Sequence, residues 1–532
     1  MTGLLLVLAL FAPVIVLLAC LAPARRKHLP ALLWLAPLPA LIAALTASGS
    51  AIRLPASLLR LTLALDAPGA LLLGVCALLW SAGGLTAAVW LRGKPDAFRF
   101  TVWWLLTLTG SIGVFIAADL VTFYLVYALV SLPAYGLVAY EGTPGARRAG
   151  AVYVALALLG EAFLLLAFVL LAQAEPDNSL LIADGVAALP GSPFQGLTIA
   201  LLLLGFALKM GLVPFHVWMP LTYTATPIPA AAVLSGAAVK AGVIGLIRFL
   251  PFGIALPGWG EALTAIGFLS AFYGVALGIT QSNPKTILAY SSISQMGVIA
   301  AVSGMGLMSG DAAAVIGIAF YAAHHVLVKG GLFLAIGAVG KRGLWPVLLP
   351  AAIIALGIAG LPLTGGYLAK LAVKDLLGKG VVGLLGALSG AASTLLMLHF
   401  LSRLALLQSG RSVPERTVQI WLATAFAAVF VPWLVYLTLW GGGDVLSADA
   451  LSSAIWPMLL GFALAYALRR WGSALPRLPP GDIIVFAAPA VAAAWKSTAA
   501  IERLDYRLRA WPVAGISLLA LVILLGVALI AG

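Results

Sequence analysis

Long apolar runs, separated by short polar segments, recur from one end of the sequence to the other. Most runs hold about 20 residues, the length that a helix needs to cross a bilayer. Backbone N–H and C=O groups find no water there, so these runs should form α-helices, whose hydrogen bonds are internal. The short alternating segments of a membrane barrel are missing. We therefore predict an all-α polytopic membrane protein with about sixteen transmembrane helices, near residues 2–22, 29–47, 67–92, 101–117, 119–140, 149–173, 197–222, 228–250, 260–281, 285–306, 311–339, 344–375, 381–408, 417–440, 452–469 and 513–531.

The composition agrees with a membrane protein and argues against other classes that a basic chain suggests. Of the 532 residues, 63% are hydrophobic and 9% are charged, whereas a soluble domain carries roughly a quarter charged residues. The net charge of +13 comes from Lys and Arg scattered through short loops, so nucleic-acid binding is not expected. Cys20 and Cys76 lie in apolar runs, and the sequence has no cysteine cluster and no phosphate-binding loop. We therefore expect no metal and no cofactor.

The charges in the loops predict the orientation of the spans. Connections after odd-numbered spans are basic, and those after even-numbered spans are mostly acidic, with Arg53, Arg60 and Arg248 as the main exceptions. Basic loops stay in the cytoplasm, so we predict that the N-terminus lies outside. The basic residues of the odd-numbered connections are Arg25, Arg26, Lys27, Arg92, Lys94, Arg99, Arg147, Arg148, Lys285, Lys341, Arg342, Arg411, Arg416, Arg469 and Arg470.

The stretch 482–510 differs from the rest of the chain. It follows the break Leu478-Pro479-Pro480-Gly481, and its apolar beginning gives way to charged residues such as Lys496, Glu502 and Arg503. This amphipathic pattern predicts an interfacial helix on the cytoplasmic side, before a last span. The alternative is a plain connecting loop.

Ionisable side chains inside the predicted spans are the main functional candidates. A charged residue at the centre of a bilayer costs about 2.5–3.5 kcal/mol on insertion scales, so such residues are rare and are functional candidates by default. The candidates are Glu161 in the sixth span, Lys209 in the seventh, Lys240 in the eighth, His324, His325 and Lys329 in the eleventh, Lys370 and Lys374 in the twelfth, and His399 in the thirteenth.

The eleventh span suggests what these side chains do. His325 and Lys329 are four residues apart, so they share one helix face at a distance of about 6 Å. A neutral histidine can pass a proton, and a lysine removed from water gives up its proton more readily. The pair therefore makes a plausible step of a proton relay. The alternative is a histidine bonded to a backbone carbonyl and a lysine that reaches the interface, which explains one such residue better than it explains five.

Two of the predicted spans are interrupted beside a lysine. Gly211-Leu212-Val213-Pro214 follows Lys209, and Gly360-Leu361-Pro362 precedes Lys370. Proline breaks a helix, and irregular backbone at membrane depth is tolerated only where it is buried or lines a wet cavity. Because the breaks recur five spans apart, an odd offset that inverts topology, we predict two inverted five-helix repeats with broken seventh and twelfth helices. The predicted divisions are 1–100, 101–250, 260–408, 409–470 and 471–532.

Several motifs of residues 100–410 together resemble a known family. They resemble the antiporter-like proton-translocating membrane subunits of respiratory complex I (NADH-quinone oxidoreductase), Mrp-type cation/proton antiporters and membrane-bound hydrogenases. The motifs are Lys209 to Pro220, Thr226 to Arg248, Leu288 to Gly297, His325 to Leu334, and Gly360 to Lys370.

The resemblance implies roles for these residues and a setting for the chain. It implies that Lys209 is the central proton carrier, that Lys240 links two half-channels, that His325 and Lys329 continue the path, and that Lys370 gates the exit. It also implies a multi-pass subunit of a bacterial inner (cell) membrane complex. Its partners would be other membrane subunits, the lipid bilayer and protons, with Na⁺ as a further candidate. Redox or hydration chemistry would then belong to partner subunits.

One position departs from the family pattern. Family members carry a glutamate on the fifth span that pairs with the seventh-span lysine, and the matching residue here is Ala128. Without that acid, Lys209 loses an attraction that favours its charged form. Glu161 on the next span could replace it; the alternative is that Glu161 is a helix-end acid near the membrane face.

Three functional hypotheses follow. The first is a proton-translocating subunit of a complex I-like or Mrp-type assembly. The second is the membrane subunit of a complex that accumulates inorganic carbon, CO₂ or bicarbonate, in which proton flow would drive hydration in a soluble partner. The third is an anchor subunit that conducts nothing, which the loss of the fifth-span glutamate favours and the retained lysines oppose.

Overall fold

The fold is taken from a computed structural model of the chain. It describes residues 2–19, 26, 29–55, 61–340, 345–407, 412–472, 476, 478–481 and 483. The chain divides into two compact units, Met1–Pro480 and Gly481–Gly532. The predicted interfacial helix at 482–510 and the predicted last span at 513–531 lie, but for residue 483, outside the described residues, and the fold below is that of the first unit.

The described part of the first 250 residues is mainly helical, with one short hairpin. The hairpin pairs β1 (Ala51–Arg53) with β2 (Thr62–Ala64) in antiparallel fashion. The helices are α1 (Thr2–Ala19), α2 (Leu38–Thr46), α3 (Ala67–Trp90), α4 (Ala97–Ile116), α5 (Leu120–Ser131), α6 (Ala134–Val138), α7 (Pro144–Ala174), α8 (Ile182–Ala188), α9 (Gln195–Met210), α10 (Trp218–Ala225), α11 (Ile228–Val233) and α12 (Lys240–Phe249).

Short 3₁₀ and π segments connect some of these helices. The 3₁₀ turns are Leu29–Leu32, Leu189–Gly191 and Phe215–Val217, and a π-helical segment, Leu234–Ala238, joins α11 to α12. The described residues of the remainder form α13 (Pro257–Gly278), α14 (Pro284–Ser309), α15 (Ala314–Ala338), α16 (Trp345–Ala359), α17 (Gly365–Ala372), α18 (Lys374–Leu377), α19 (Val381–Ala405), α20 (Glu415–Trp440) and α21 (Ala448–Trp471).

Burial separates a central group of spans from a peripheral one. Within the described residues, thirteen helices or helix pairs are long and apolar enough to cross a membrane. The apolar stretches of α11–α12, α14 and α15 are buried along their whole length. Only 22% of the apolar stretch of α1 is buried, and only 17% of that of α21. The central spans carry Lys240, His324, His325 and Lys329. These polar groups are therefore shielded from lipid by neighbouring helices rather than exposed to it.

The membrane-protein class is confirmed; one predicted span takes another form, and another is interrupted. The predicted span 29–47 is a 3₁₀ turn followed by the nine-residue helix α2; Pro30, Pro37 and Pro39 interrupt continuous helical hydrogen bonding. The predicted span 344–375 is divided into α16, α17 and α18. The count of sixteen spans and the inverted repeats stay predictions.

An ion pair ties together the ends of α3, α4 and α12. Arg248 Nη2 donates to Asp66 Oδ1 at 2.8 Å, and the Arg248 guanidinium also donates to the carbonyls of Val114, Phe115 and Ala117. Asp66 in turn caps α3 by accepting from Gly69 N. Burial acts to raise the pKa of Asp66, but the Arg248 guanidinium and these hydrogen bonds lower it overall. Arg248, an exception in the charge pattern, is thus neutralised by a partner that is distant in sequence.

Candidate functional site

Lys209 lies in the last turn of α9, immediately before a break in the span. Gly211 ends α9 in the left-handed conformation, with φ of 67°, which a glycine adopts without strain. The chain then continues through the 3₁₀ turn at Phe215–Val217 into α10. Trp218 bridges the break by donating its Nε1–H to Leu208 O at 2.9 Å. The break therefore falls beside Lys209, where the sequence predicted it.

The ammonium of Lys209 is held by groups from the neighbouring helices. Lys209 Nζ donates to Ser131 Oγ at 2.8 Å, at the last residue of α5. The rings of Tyr127 and Tyr153 lie 5.4 and 5.9 Å from Nζ, and Tyr153 OH donates to Ser131 O at 3.0 Å. Lys209 is 7% exposed, so its charge depends on these few contacts.

Glu161 lies inside the bundle, next to Lys209. Glu161 is 5% exposed, and its carboxylate interacts with the Lys209 ammonium and with the Ser131 hydroxyl. Close approach of Gly160 and Gly205 brings α7 against α9 at this level. Carboxylate atom Oε1 has no hydrogen-bond partner among the described residues. The structure therefore brings an acid, a hydroxyl and the lysine together, in place of the fifth-span acid that Ala128 lacks.

Lys240 and His325 make direct contact at the centre of the molecule. Lys240 Nζ and His325 Nδ1 are 2.8 Å apart, with side chains that are 0% and 1% exposed. Lys240 begins α12 directly after the π-helical segment, and such segments are frequent at functional sites. His325 Nε2 has no partner among the described residues. One ring nitrogen of His325 thus contacts Lys240 while the other is available.

A line of hydroxyls and one carbonyl joins Lys329 to the π-helical segment. Lys329 Nζ donates to Leu288 O at 3.1 Å, and Ser292 Oγ donates to the same carbonyl at 3.0 Å. Ser292 Oγ is also 3.1 Å from Ser235 Oγ, which lies in the π-helical segment. α14 therefore contributes polar groups between α15 and the α11–α12 span.

His324 points to the start of α17 rather than to Lys240. It is 4% exposed, and neither ring nitrogen has a hydrogen-bond partner among the described residues. A Cβ on Gly365 or on Gly366 would lie 2.8 Å from one of these nitrogens. The two glycines therefore allow His324 to approach the backbone at the second helix break, on the side of Lys370.

Lys370 lies in a slot between two glycines and faces a cavity. Its Nζ donates to Ala359 O, at the end of α16. A Cβ on Gly390 would lie 2.6 Å from Nζ, and one on Gly360, where φ is +104°, would lie 3.2 Å away. The adjoining cavity has a volume of about 160 Å³. The second break thus supplies both a carbonyl acceptor and open space to the lysine.

Two of the predicted ionisable residues lie apart from the row of Lys209, Lys240, His325, Lys329 and Lys370. Lys374 Nζ forms a 2.6 Å ion pair with Asp449 Oδ2 of α21. His399 Nε2 is 2.8 Å from Gln281 O, which is the ordinary arrangement of a histidine paired with a backbone carbonyl. Among the described residues, no group of three or more His, Cys, Asp or Glu side chains could hold a metal ion.

Comparison with known proteins identifies the family. The family model for "NADH:quinone oxidoreductase/Mrp antiporter, TM" matches residues 117–375, which hold both helix breaks and every residue of the row. NADH-quinone oxidoreductase subunit N of Heliobacterium modesticaldum is 33% identical over 321 residues, which cover 56% of this chain and 66% of that protein. The central part of the chain thus matches the antiporter-like family of membrane subunits. The resemblance inferred from the motifs is therefore confirmed.

Two solved structures share the fold of this antiporter-like chain. A chain of the Mrp complex from Dietzia sp. DQ12-45-1b has a TM-score of 0.77 at 21% identity, with 100% of this chain and 63% of that chain covered. A chain of an archaeal membrane-bound sulfane sulfur reductase has a TM-score of 0.73 at 21% identity, with coverage of 98% and 99%. The described residues therefore have counterparts of the same fold, and the subunit N match spans just under two thirds of that relative.

Some polar groups of the antiporter-like site were not predicted. Ser131 lies three residues after Ala128, on the same face of α5, and this spacing is the signal that could have identified it. Ser292 lies within the motif from Leu288 to Gly297 but was not singled out. Ser235 lies in the π-helical segment, and no local pattern indicated that this segment departs from an α-helix.

The balance of charge limits what this arrangement can do chemically. Among the residues that the structure describes, Lys209, Lys240, Lys329 and Lys370 come with one buried carboxylate in contact, that of Glu161. An unpaired ammonium in a low-dielectric interior is costly. The groups of the row cannot all carry charge at once without a large penalty, so states in which some are neutral are favoured. Such a row is suited to exchanging protons between neighbours.

Proposed function

We propose that this chain is a proton-translocating subunit of a multisubunit membrane complex of the complex I or Mrp type. Protons would move along the row Lys209, Lys240, His325, Lys329 and Lys370, with Glu161 and His324 as auxiliary groups. The observation that carries the proposal is the 2.8 Å contact between Lys240 Nζ and His325 Nδ1 in the fully buried core. Two titratable bases in contact there can exchange a proton, whereas their contact contributes little to the stability of the fold.

At Lys209, the neighbouring acid gives the lysine a way to change its proton affinity during a cycle. When the Glu161 carboxylate is charged, it attracts the Lys209 ammonium and favours the protonated lysine. Protonation of Glu161 removes this attraction, and Lys209 then releases its proton more easily. Ser131, which contacts both groups, can pass a proton between them because a hydroxyl both donates and accepts.

At the centre, His325 can pass protons between the two broken spans. A protonated Lys240 donates to His325 Nδ1, and His325 can release a proton from Nε2, because each ring nitrogen can act as donor or acceptor. Lys329 lies one turn further along α15. His324 faces the side of Lys370. Waters would complete the longer steps.

The relatives suggest the setting. A relative of this chain is named as a subunit of NADH-quinone oxidoreductase, and the structural neighbours belong to an Mrp complex and to a respiratory membrane complex. We therefore infer that this chain works beside other membrane subunits in a bacterial inner membrane, with its N-terminus outside. The energy would come from a partner's redox reaction or from an exchanged cation such as Na⁺.

The test is reconstitution of the complex purified through a tag on this chain. Proton uptake into proteoliposomes, followed with a pH-sensitive dye, should be lost in Lys209→Ala and in Lys370→Ala and kept in Lys379→Ala, an exposed lysine between α18 and α19. Native uptake by both row variants in an intact complex would contradict the proposal and favour the anchor role. A soluble zinc protein among the purified partners would favour the inorganic-carbon hypothesis.

A further inference from the structure

The cavity beside Lys370 extends to the surface of the bundle. Its lining includes Lys370 and Ala359 and also the exposed residues Gly378 and Trp456. Hydroxyl groups of Ser389 of α19 and Ser453 of α21 also line it. An open path of about 160 Å³ with polar groups along its wall is large enough for several waters.

An ion pair stands at the surface end of this cavity. Lys374 lines the cavity, and its Nζ is paired with Asp449 Oδ2 at 2.6 Å. The Lys374 side chain is 37% exposed and that of Asp449 is 86% exposed. Asp449 belongs to the first turn of α21. A buried hydrogen bond from Tyr367 OH to Val445 O, at 2.5 Å, ties α17 to the loop before α21 and holds the two charges in register.

We propose that this cavity is an aqueous vestibule through which Lys370 exchanges protons with the solvent, and that the Lys374–Asp449 ion pair is its gate. The inference rests on the proposed function, in which Lys370 ends the proton path. An exposed ion pair contributes little stability and is readily broken. It can therefore open and close during a cycle, unlike the Arg248–Asp66 pair, which has three additional carbonyl acceptors.

The experiment measures the accessibility of the cavity in the assembled complex, in native membranes. The two native cysteines are first replaced by serine, and Ser389→Cys then reports on the cavity. Ser393→Cys is the matched control, because Ser389 and Ser393 are both 4% exposed on α19 but Ser393 lies outside the lining and bonds to Gln295. Rates of modification are measured with an anionic and with a cationic methanethiosulfonate, applied to each face of the membrane.

Two further substitutions distinguish opening of the gate from a change in the local charge. Asp449→Asn makes the entrance more positive and Lys374→Gln makes it less positive, yet both break the ion pair. We expect each of them to speed modification of Ser389→Cys by both reagents, by roughly two- to fivefold, as for loss of one exposed ion pair. Ser389→Cys should be modified from one face of the membrane only, and Ser393→Cys should be modified slowly in every variant.

Three results would overturn the inference. If the two reagents change in opposite directions in each variant, the ion pair alters the local potential and is not a gate. If Ser389→Cys never reacts, or reacts no faster than Ser393→Cys, the cavity is not a route from the solvent. Modification of Ser389→Cys does not depend on proton transport. The vestibule can therefore be disproved while the proposed function stands, and the proposed function can be disproved while the vestibule stands.

Discussion

Lys209 and Lys370 both lie beside a helix break, but their surroundings differ. Lys209 donates to the Ser131 hydroxyl and interacts with the Glu161 carboxylate in a cavity of only about 10 Å³. Lys370 donates to a backbone carbonyl, has no salt-bridge partner among the described residues, and adjoins about 160 Å³ of open space. The first lysine is thus stabilised by a protein acid, whereas the second depends on water for the solvation of its charge.

Two ion pairs of the bundle differ in a similar way. Arg248 is 9% exposed and bonds to Asp66 and to three carbonyls, whereas Lys374 is 37% exposed and bonds to Asp449 alone. A buried, fully bonded guanidinium holds its helices permanently, while an exposed ammonium can exchange its partner for water. The comparison indicates that the Arg248–Asp66 pair is fixed and that the Lys374–Asp449 pair can open.

The largest expected effect is at the acid of the Lys209 region. Glu161→Gln keeps the shape but removes the charge that controls Lys209, so proton uptake by the reconstituted complex should fall by on the order of a hundredfold, as for loss of a proton-transfer group. Glu261→Gln, at an exposed position of α13, is the control and should be silent. Native uptake by an assembled Glu161→Gln complex would show that Lys209 needs no local acid.

The Lys370 region should respond to a change of shape instead. Gly390→Ala would place a methyl group 2.6 Å from the present position of Lys370 Nζ, and the flexible side chain would move away without unfolding the helix. We expect uptake to fall between roughly tenfold and a hundredfold, the usual cost of displacing a reacting group by about 1 Å. Gly380→Ala, where no atom lies within 4 Å, should behave as the native complex. Equal proton uptake by the Gly390→Ala and Gly380→Ala complexes would disprove that the position of Lys370 between the two glycines matters.

The smallest effect concerns stability. Asp66→Asn should lower the unfolding temperature at neutral pH by a few degrees, because Arg248 is left without its charged partner. The pKa of Asp66 is lowered in the fold from its ordinary value near 3.8, so the stabilisation is complete above that pH and is lost as the pH falls through the lower value. The difference between the native and variant proteins, followed by intrinsic fluorescence, should therefore disappear in acid.

Two variants calibrate this stability measurement. Asp96→Asn removes the exposed 3.5 Å pair with Arg99, and Asp449→Asn removes the exposed pair with Lys374; neither should change the unfolding temperature measurably. A shift for Asp449→Asn as large as that for Asp66→Asn would remove the contrast between a fixed and an openable ion pair.

Much of the architecture could be predicted from local patterns. Apolar length identified most spans, and Gly211 with Pro214 located the first break, because these effects act within a few residues of the chain. Lys240 and His325 were chosen because a buried charge is costly wherever the helix lies. The second predicted span was less successful, since apolar length alone does not show that Pro30 and Pro37 divide it.

The partners of the polar groups could not be predicted, because they lie far away in sequence. Ser131 and Lys209 are 78 residues apart, and Lys374 and Asp449 are 75 apart. Lys370 and Lys374 were both placed in the twelfth predicted span, but α17 ends at Ala372 and Lys374 pairs with Asp449 of α21 instead. The sequence did not show where the Glu161 carboxylate lies, because its position beside Lys209 depends on the packing of α7 on α9.

The central claim, that protons cross this chain through the Lys240–His325 contact, is tested most directly by His325→Gln. Glutamine retains an oxygen that can accept from Lys240 Nζ, but it cannot take up and release a proton at neutral pH. The account predicts that the variant complex assembles with all its subunits and shows no proton uptake in proteoliposomes, while Lys379→Ala retains it. Uptake at the native rate by the assembled His325→Gln complex would contradict the account.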